Sequence, residues 1–111
     1  MKVSQTDQDG VSVLVIEGEI DLYASPQLRE KFDEMVEGGV KAIVVNLEKV
    51  SYIDSSGLAT FIEAYQKLTA KEGKLILCHL TETVRSVFEI ARLEDVLTLA
   101  GNESEALELA K

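Results

Sequence analysis

The chain reads as an α/β domain: an N-terminal β-hairpin followed by alternating strands and helices that form a mixed, mostly parallel sheet covered by helices. Three observations predict it. A turn signal, Asp9-Gly10, stands between two short alternating segments. After it, apolar runs such as Ala42–Leu47 and Leu75–Cys78 alternate with stretches whose apolar residues recur at three- and four-residue steps. Strand–helix–strand units wind right-handed, which makes the strands beyond the hairpin parallel. The 111 residues suit one core, so one domain over residues 1–111 is expected.

In order, Val3–Thr6 and Val11–Ile16 are the hairpin strands. Gly18-Glu19-Ile20-Asp21-Leu22-Tyr23 reads as a loop, with Asp21 near the end of the second strand, and is a candidate functional edge. Ser25-Pro26 starts a helix: Ser25 is expected to cap it, and Pro26 suits a first position where its missing N–H costs nothing. Leu28, Phe32, Met35 and Val36 form its apolar face, and Gly38-Gly39 ends it. The third strand, Ala42–Leu47, leads through Ser51 and Tyr52, read as turn and packing residues, to Asp54-Ser55-Ser56-Gly57-Leu58.

That stretch opens a second helix with a core stripe of Leu58, Phe61, Ile62, Tyr65 and Leu68, terminated near Gly73. Asp54 can cap the orphan N–H groups of its first turn, and two hydroxyls stand in the open there. Gly57 gives no side chain to shield them and costs helix stability by about 1 kcal/mol relative to Ala, which predicts a close-approach role. Leu75–Cys78 reads as a strand buried on both faces. Thr81 caps a third helix with Val84, Val87, Phe88 and Ala91 on one stripe, Val96–Leu99 adds an edge strand, and Asn102 with Glu105 opens a final helix containing Leu107 and Leu109.

Composition narrows the function classes. The formal charge is −9, from 20 acidic and 11 basic residues, and no Lys/Arg cluster marks a phosphate-backbone footprint, so nucleic acid is not an expected partner. No run reaches the roughly 18 apolar residues that cross a bilayer, and the polar N-terminus lacks the pattern of a signal peptide; the expectation is a cytoplasmic chain with no membrane partner. Cys78, the single cysteine, reads as a buried small hydrophobe. His79 is the single histidine, and a small serine hydrolase would pair it with Ser55 or Ser56, oriented by Asp54 or Asp21. The first glycine of a Gly-x-Ser-x-Gly elbow is missing, however, and neighbouring strand residues such as Cys78 and His79 point to opposite faces, so neither catalysis nor a metal is expected. No glycine pattern predicts a nucleotide cofactor. From the residues alone, either Ser55 or Ser56 could be the working hydroxyl.

With Gly18-Glu19-Ile20-Asp21, Asn46-Leu47 and Tyr52-Ile53-Asp54-Ser55-Ser56-Gly57-Leu58 in this order, essentially the whole chain resembles the bacterial anti-sigma factor antagonists, which are single STAS domains. The resemblance implies a non-enzymatic switch: an anti-sigma factor that is a serine kinase phosphorylates the second serine of the motif, here Ser56. The unphosphorylated protein binds that anti-sigma factor and frees a sigma factor, and a metal-dependent serine/threonine phosphatase resets it. It further implies a docking edge of Asp21, Asp54, Ser55, Ser56 and Gly57. The alternative within the same fold is an adaptor or scaffold module in another signalling or transport-regulating complex.

Overall fold

The computed structural model describes residues 1–111. Strands β1 (Lys2–Gln8) and β2 (Val11–Ile20) form the hairpin, followed by α1 (Ser25–Glu37), β3 (Ala42–Ile53), α2 (Ser55–Ala70), β4 (Lys74–Cys78), α3 (Glu82–Ile90), a 3₁₀ turn at Leu93–Asp95, β5 (Thr98–Ala100) and α4 (Glu103–Ala110). The sheet order is β1-β2-β3-β4-β5. β1 runs antiparallel to β2, and all other neighbours are parallel. Asp9 and Gly10 both take positive φ, 52° and 82°, the requirement of a tight two-residue hairpin turn. No helix is long and apolar enough to cross a membrane.

The period-two alternation of the strands divides the interior. Leu14, Ile16, Val45, Leu47, Leu75 and Leu77 face α1, α2 and α3, whereas Val13, Val44, Ile76 and Cys78 face α4. Phe32 of α1, Phe61 of α2 and Phe88 of α3 join the three helices into one layer. Their ring centroids lie 5.8 Å apart for the first pair and 6.3 Å for the second. All three rings are buried, each stabilising the layer by about 1.5–3 kcal/mol relative to an exposed ring.

Several boundaries differ from the sequence reading. β2 does not stop at Ile16 but continues to Ile20, and β3 continues past Leu47 to Ile53, so Glu17–Ile20, Ser51 and Tyr52 are strand residues. Their pairing contains two register shifts, between Val15 and Glu17 and between Gly18 and Glu19. Gly18, with φ +104°, accommodates the second. Ser25 does not cap α1: the cap position is Ala24, without a side-chain bond. Ala91 is exposed, Val87, Ile62 and Tyr65 are only half-buried, and the edge strand begins at Thr98. α4 buries Ala106 and Ala110, while Leu109 is exposed. Gly73 is required by proximity and not by φ, since a Cβ there would lie 2.4 Å from the carbonyl oxygen of Lys41.

Parallel pairing positions the candidate site. Ile20 and Ile53 are register partners and the last residues of β2 and β3. Asp21 and Asp54 therefore leave adjacent strands side by side at the carboxyl edge of the sheet, tied by a bond from the Asp54 N–H to the Ile20 carbonyl at 3.3 Å.

Candidate functional site

Asp54 has extended backbone, φ −114° and ψ −173°, and caps α2 as the sequence predicts. Its Oδ1 accepts from the Ser56 N–H at 3.0 Å and the Gly57 N–H at 3.2 Å, and from the Ser56 hydroxyl at 2.5 Å. The Ser56 hydroxyl is the main cause holding the Asp54 carboxyl below the usual carboxylate range. Partial desolvation opposes it, and the N–H groups of Gly57, Ser56 and Leu22 reinforce it. Asp54 is thus a carboxylate at neutral pH, with a hydroxyl proton directed onto it.

The oxygen of that hydroxyl has a second neighbour. Ser56 Oγ lies 2.9 Å from Ser25 Oγ, and Ser25 is itself 2% exposed. The Ser25 hydroxyl donates to the Asp21 carbonyl at 2.7 Å, which also accepts the Ser25 N–H at 2.8 Å. The Asp21 side chain turns inward on its own loop and accepts from the N–H groups of Tyr23 and Ala24 at 3.1 and 2.9 Å. Asp21 therefore shapes the β2–α1 loop, and Ser25, freed from capping, links that loop to Ser56.

Ser55 occupies the first helical position and is exposed; capping falls to Asp54, and the side-chain bonds of the motif run through Ser56. Gly57 is buried and faces the sheet. A Cβ on it would lie 2.7 Å from Ile53 Cγ1 and 2.8 Å from the Ile20 carbonyl oxygen. Of the expected site residues, Asp54 and Ser56 are joined directly, Asp21 reaches the Ser56 hydroxyl only through its carbonyl and Ser25, Ser55 stands toward solvent, and Gly57 seats the first turn of α2.

The loop that the sequence marks as a candidate functional edge carries exposed apolar side chains. Leu22 and Tyr23 sit on the β2–α1 loop at 68% and 91% exposure, and Tyr52 near the end of β3 at 47%. The available signal was Leu22-Tyr23 itself, two large apolar residues in a loop with no stripe to join.

The chemistry of a serine hydrolase is not assembled. His79 Nε2 accepts from the Glu103 N–H at 3.2 Å at the start of α4, while the Ser56 proton goes to Asp54. A general base must reach the proton it takes, and His79 is committed elsewhere. Cys78 is fully buried, and its thiol is pushed up to about 12, chiefly by burial and further by Glu103 and Glu48.

Comparison with known proteins gives a consistent result. Residues 2–106 match the family model of the STAS domain. The chain is 33% identical over 97 residues to an anti-sigma-B factor antagonist of Staphylococcus aureus, an alignment covering 87% of this chain and 90% of the relative. The fold superposes with a TM-score of 0.91 on an anti-sigma factor antagonist from Mycobacterium paratuberculosis, at 28% identity, covering 98% of this chain and 92% of the other. It superposes with a TM-score of 0.76 on the Bacillus cell fate determinant SpoIIAA in its phosphorylated form, at 28% identity, covering 99% and 100%. Fold, motif and relatives agree, and the chain belongs to the STAS domain family.

Proposed function

We propose that this chain is an anti-sigma factor antagonist. Unphosphorylated, it binds an anti-sigma factor that is a serine kinase and so releases a sigma factor; phosphorylation at Ser56 switches it off, and a metal-dependent serine/threonine phosphatase restores it. Support comes from the S. aureus relative and from the phosphorylated form in which SpoIIAA is known. The observation that carries the choice of Ser56 is its hydroxyl at the N-terminus of α2, donating to Asp54 at 2.5 Å and touching Ser25. A phosphoryl group on Ser56 disrupts this network, whereas one on exposed Ser55 leaves its bonds in place.

The modification exchanges the hydroxyl proton for a phosphoryl group from ATP: an Oγ–P bond forms, the bond to the ADP leaving group breaks, and the proton is released. Ser56 then carries about −1.5 to −2 charges. A free helix N-terminus would welcome that charge. Here, however, the Ser56 and Gly57 N–H groups already serve the Asp54 carboxylate, so the dianion meets a neighbouring anion and its former donor bond is gone. Neither effect requires refolding. At a docked surface shaped for a hydroxyl, the added charge costs desolvation and repulsion, and a few kcal/mol there changes affinity by about a hundredfold or more.

The test incubates the protein with ATP and each kinase-type anti-sigma factor of its own genome, followed by intact-mass and peptide mapping. One phosphate on Ser56, absent from Ser56→Ala, is the expected result. No phosphate with active kinases and folded protein would overturn the switch and turn the search to stable complexes of an adaptor.

A further inference from the structure

The contacts around Ser25 contain more acceptors than protons. Ser56 Oγ donates its single proton to Asp54, and Ser25 Oγ donates its single proton to the Asp21 carbonyl. The two hydroxyl oxygens nevertheless stand 2.9 Å apart, with no further proton to place between them while both donations hold. The Ser25 hydroxyl thus has two acceptors within reach, the Asp21 carbonyl on one side and Ser56 Oγ on the other. Its bond to Asp21 is also the more dispensable one, because the Ser25 N–H keeps that carbonyl satisfied. Ser25 is 2% exposed, so solvent offers its hydroxyl no alternative partner.

We propose that Ser25 is the positioning residue through which the modification of Ser56 reaches the Leu22–Tyr23 loop: phosphorylation draws the Ser25 hydroxyl from the Asp21 carbonyl to a phosphoryl oxygen. This rests on the reading of Ser56 as the modified residue. The ester oxygen of phosphoserine has no proton, while its phosphoryl oxygens are anionic acceptors that form stronger hydrogen bonds than a neutral carbonyl. Ser25 is the hydroxyl donor already in contact. Turning it removes one of the two bonds that the Asp21 carbonyl accepts from Ser25. That carbonyl opens the turn that carries Leu22 and Tyr23, the exposed apolar side chains of the loop. In this arrangement a buried serine converts a charge on α2 into a change of the loop at the end of β2.

The experiment compares amide ¹H–¹⁵N spectra of the full chain with serine and with genetically encoded phosphoserine at position 56, each in the wild-type background and in Ser25→Ala. Encoding the phosphoserine makes the result independent of any kinase, so a failed kinase assay and a failed relay are separate outcomes. In the wild-type background, phosphorylation is expected to shift the amides of Leu22, Tyr23 and Ala24 together with those of Ser56 and Gly57. In Ser25→Ala, the Ser56 and Gly57 shifts persist and the loop shifts lose most of their size. Equal loop shifts in both backgrounds overturn the proposal, as does an unmoved loop in the wild-type background. Because each background supplies its own unmodified reference, a purely structural effect of losing the hydroxyl cancels. Ser25→Cys, which keeps the side-chain shape with a slightly larger atom and a weaker donor, serves if the alanine variant does not fold, and an intermediate loop shift is then expected.

Discussion

Gly57 rests its first helical turn on Ile20: a Cβ there would lie 2.8 Å from the Ile20 carbonyl oxygen and 2.9 Å from its Cγ2. A backbone carbonyl in a sheet cannot rotate aside as a side chain can. Gly57→Ala therefore sets a helix-propensity gain of about 1 kcal/mol against overpacking of about 1–3 kcal/mol. Because that carbonyl cannot yield, the upper end of the overpacking range applies, and the expected net result is a loss of about 2 kcal/mol in urea unfolding. An alanine variant as stable as the wild type would mean that α2 can lift off the sheet at no cost.

The Asp54 carboxylate gives stability a pH dependence of defined sign. Its folded pKa is depressed from the ordinary 3.8, first by the Ser56 hydroxyl and then by backbone N–H groups. The contribution is therefore present above the unfolded value and lost as pH falls through the lower folded one. Asn keeps the cap and loses the charge, whereas Ala loses both and costs about 1 kcal/mol. Wild type should exceed Asp54→Asn in stability at pH 7, and the gap should close below pH 3.8. A gap that is constant from neutral to acid pH would show that the charge is not involved.

The parts of this site legible in the sequence are those fixed by local rules. Asp54 precedes a periodic helix and caps it, which follows from the chemistry of a helix start; the close approach of Gly57 was legible, but not that its neighbours are Ile20 and Ile53 of the sheet. Ser25 misled because it also stands before a proline at a helix start. What decides its role is Asp21, whose side chain already accepts the Tyr23 and Ala24 N–H groups. The far half of β3 was hidden for a different reason. Val50 and Ile53 are buried while Glu48, Lys49, Ser51 and Tyr52 are exposed, because register shifts against β2 break the period-two pattern. In α4 the core contacts come from Ala106 and Ala110, one turn apart and too small to mark a stripe. The Ser25–Ser56 contact joins residues 31 positions apart and has no local signature at all.

Cys78 should be inert in the folded chain. The thiolate is the reactive form, and a thiol pushed up to about 12 leaves a thiolate fraction on the order of 10⁻⁴ at pH 8, besides having no exposed surface. Ellman's reagent is expected to react slowly in native buffer and immediately in strong urea. Rapid stoichiometric reaction of the native protein would mean that β4 opens toward α4 far more readily than a packed sheet allows.

Tyr23 offers the sharpest separation of binding from folding. At 91% exposure its ring supports no core, so Tyr23→Ala should leave the unfolding midpoint within about 0.5 kcal/mol of wild type. The same ring stands on the loop that Ser25 links to Ser56, an exposed aromatic of the kind that dominates protein interfaces when a partner covers it. Loss of about tenfold or more in affinity for the cognate anti-sigma factor is therefore expected, equivalent to roughly 1.4 kcal/mol or more. If Ser25 relays the modification to this loop, combining Tyr23→Ala with phosphoserine at position 56 should cost less than the sum of the two separate effects, because the ring is already misplaced when the charge is present. Additive losses would place Tyr23 in the interface but outside the switch, and unchanged affinity in Tyr23→Ala would remove the loop from the interface altogether.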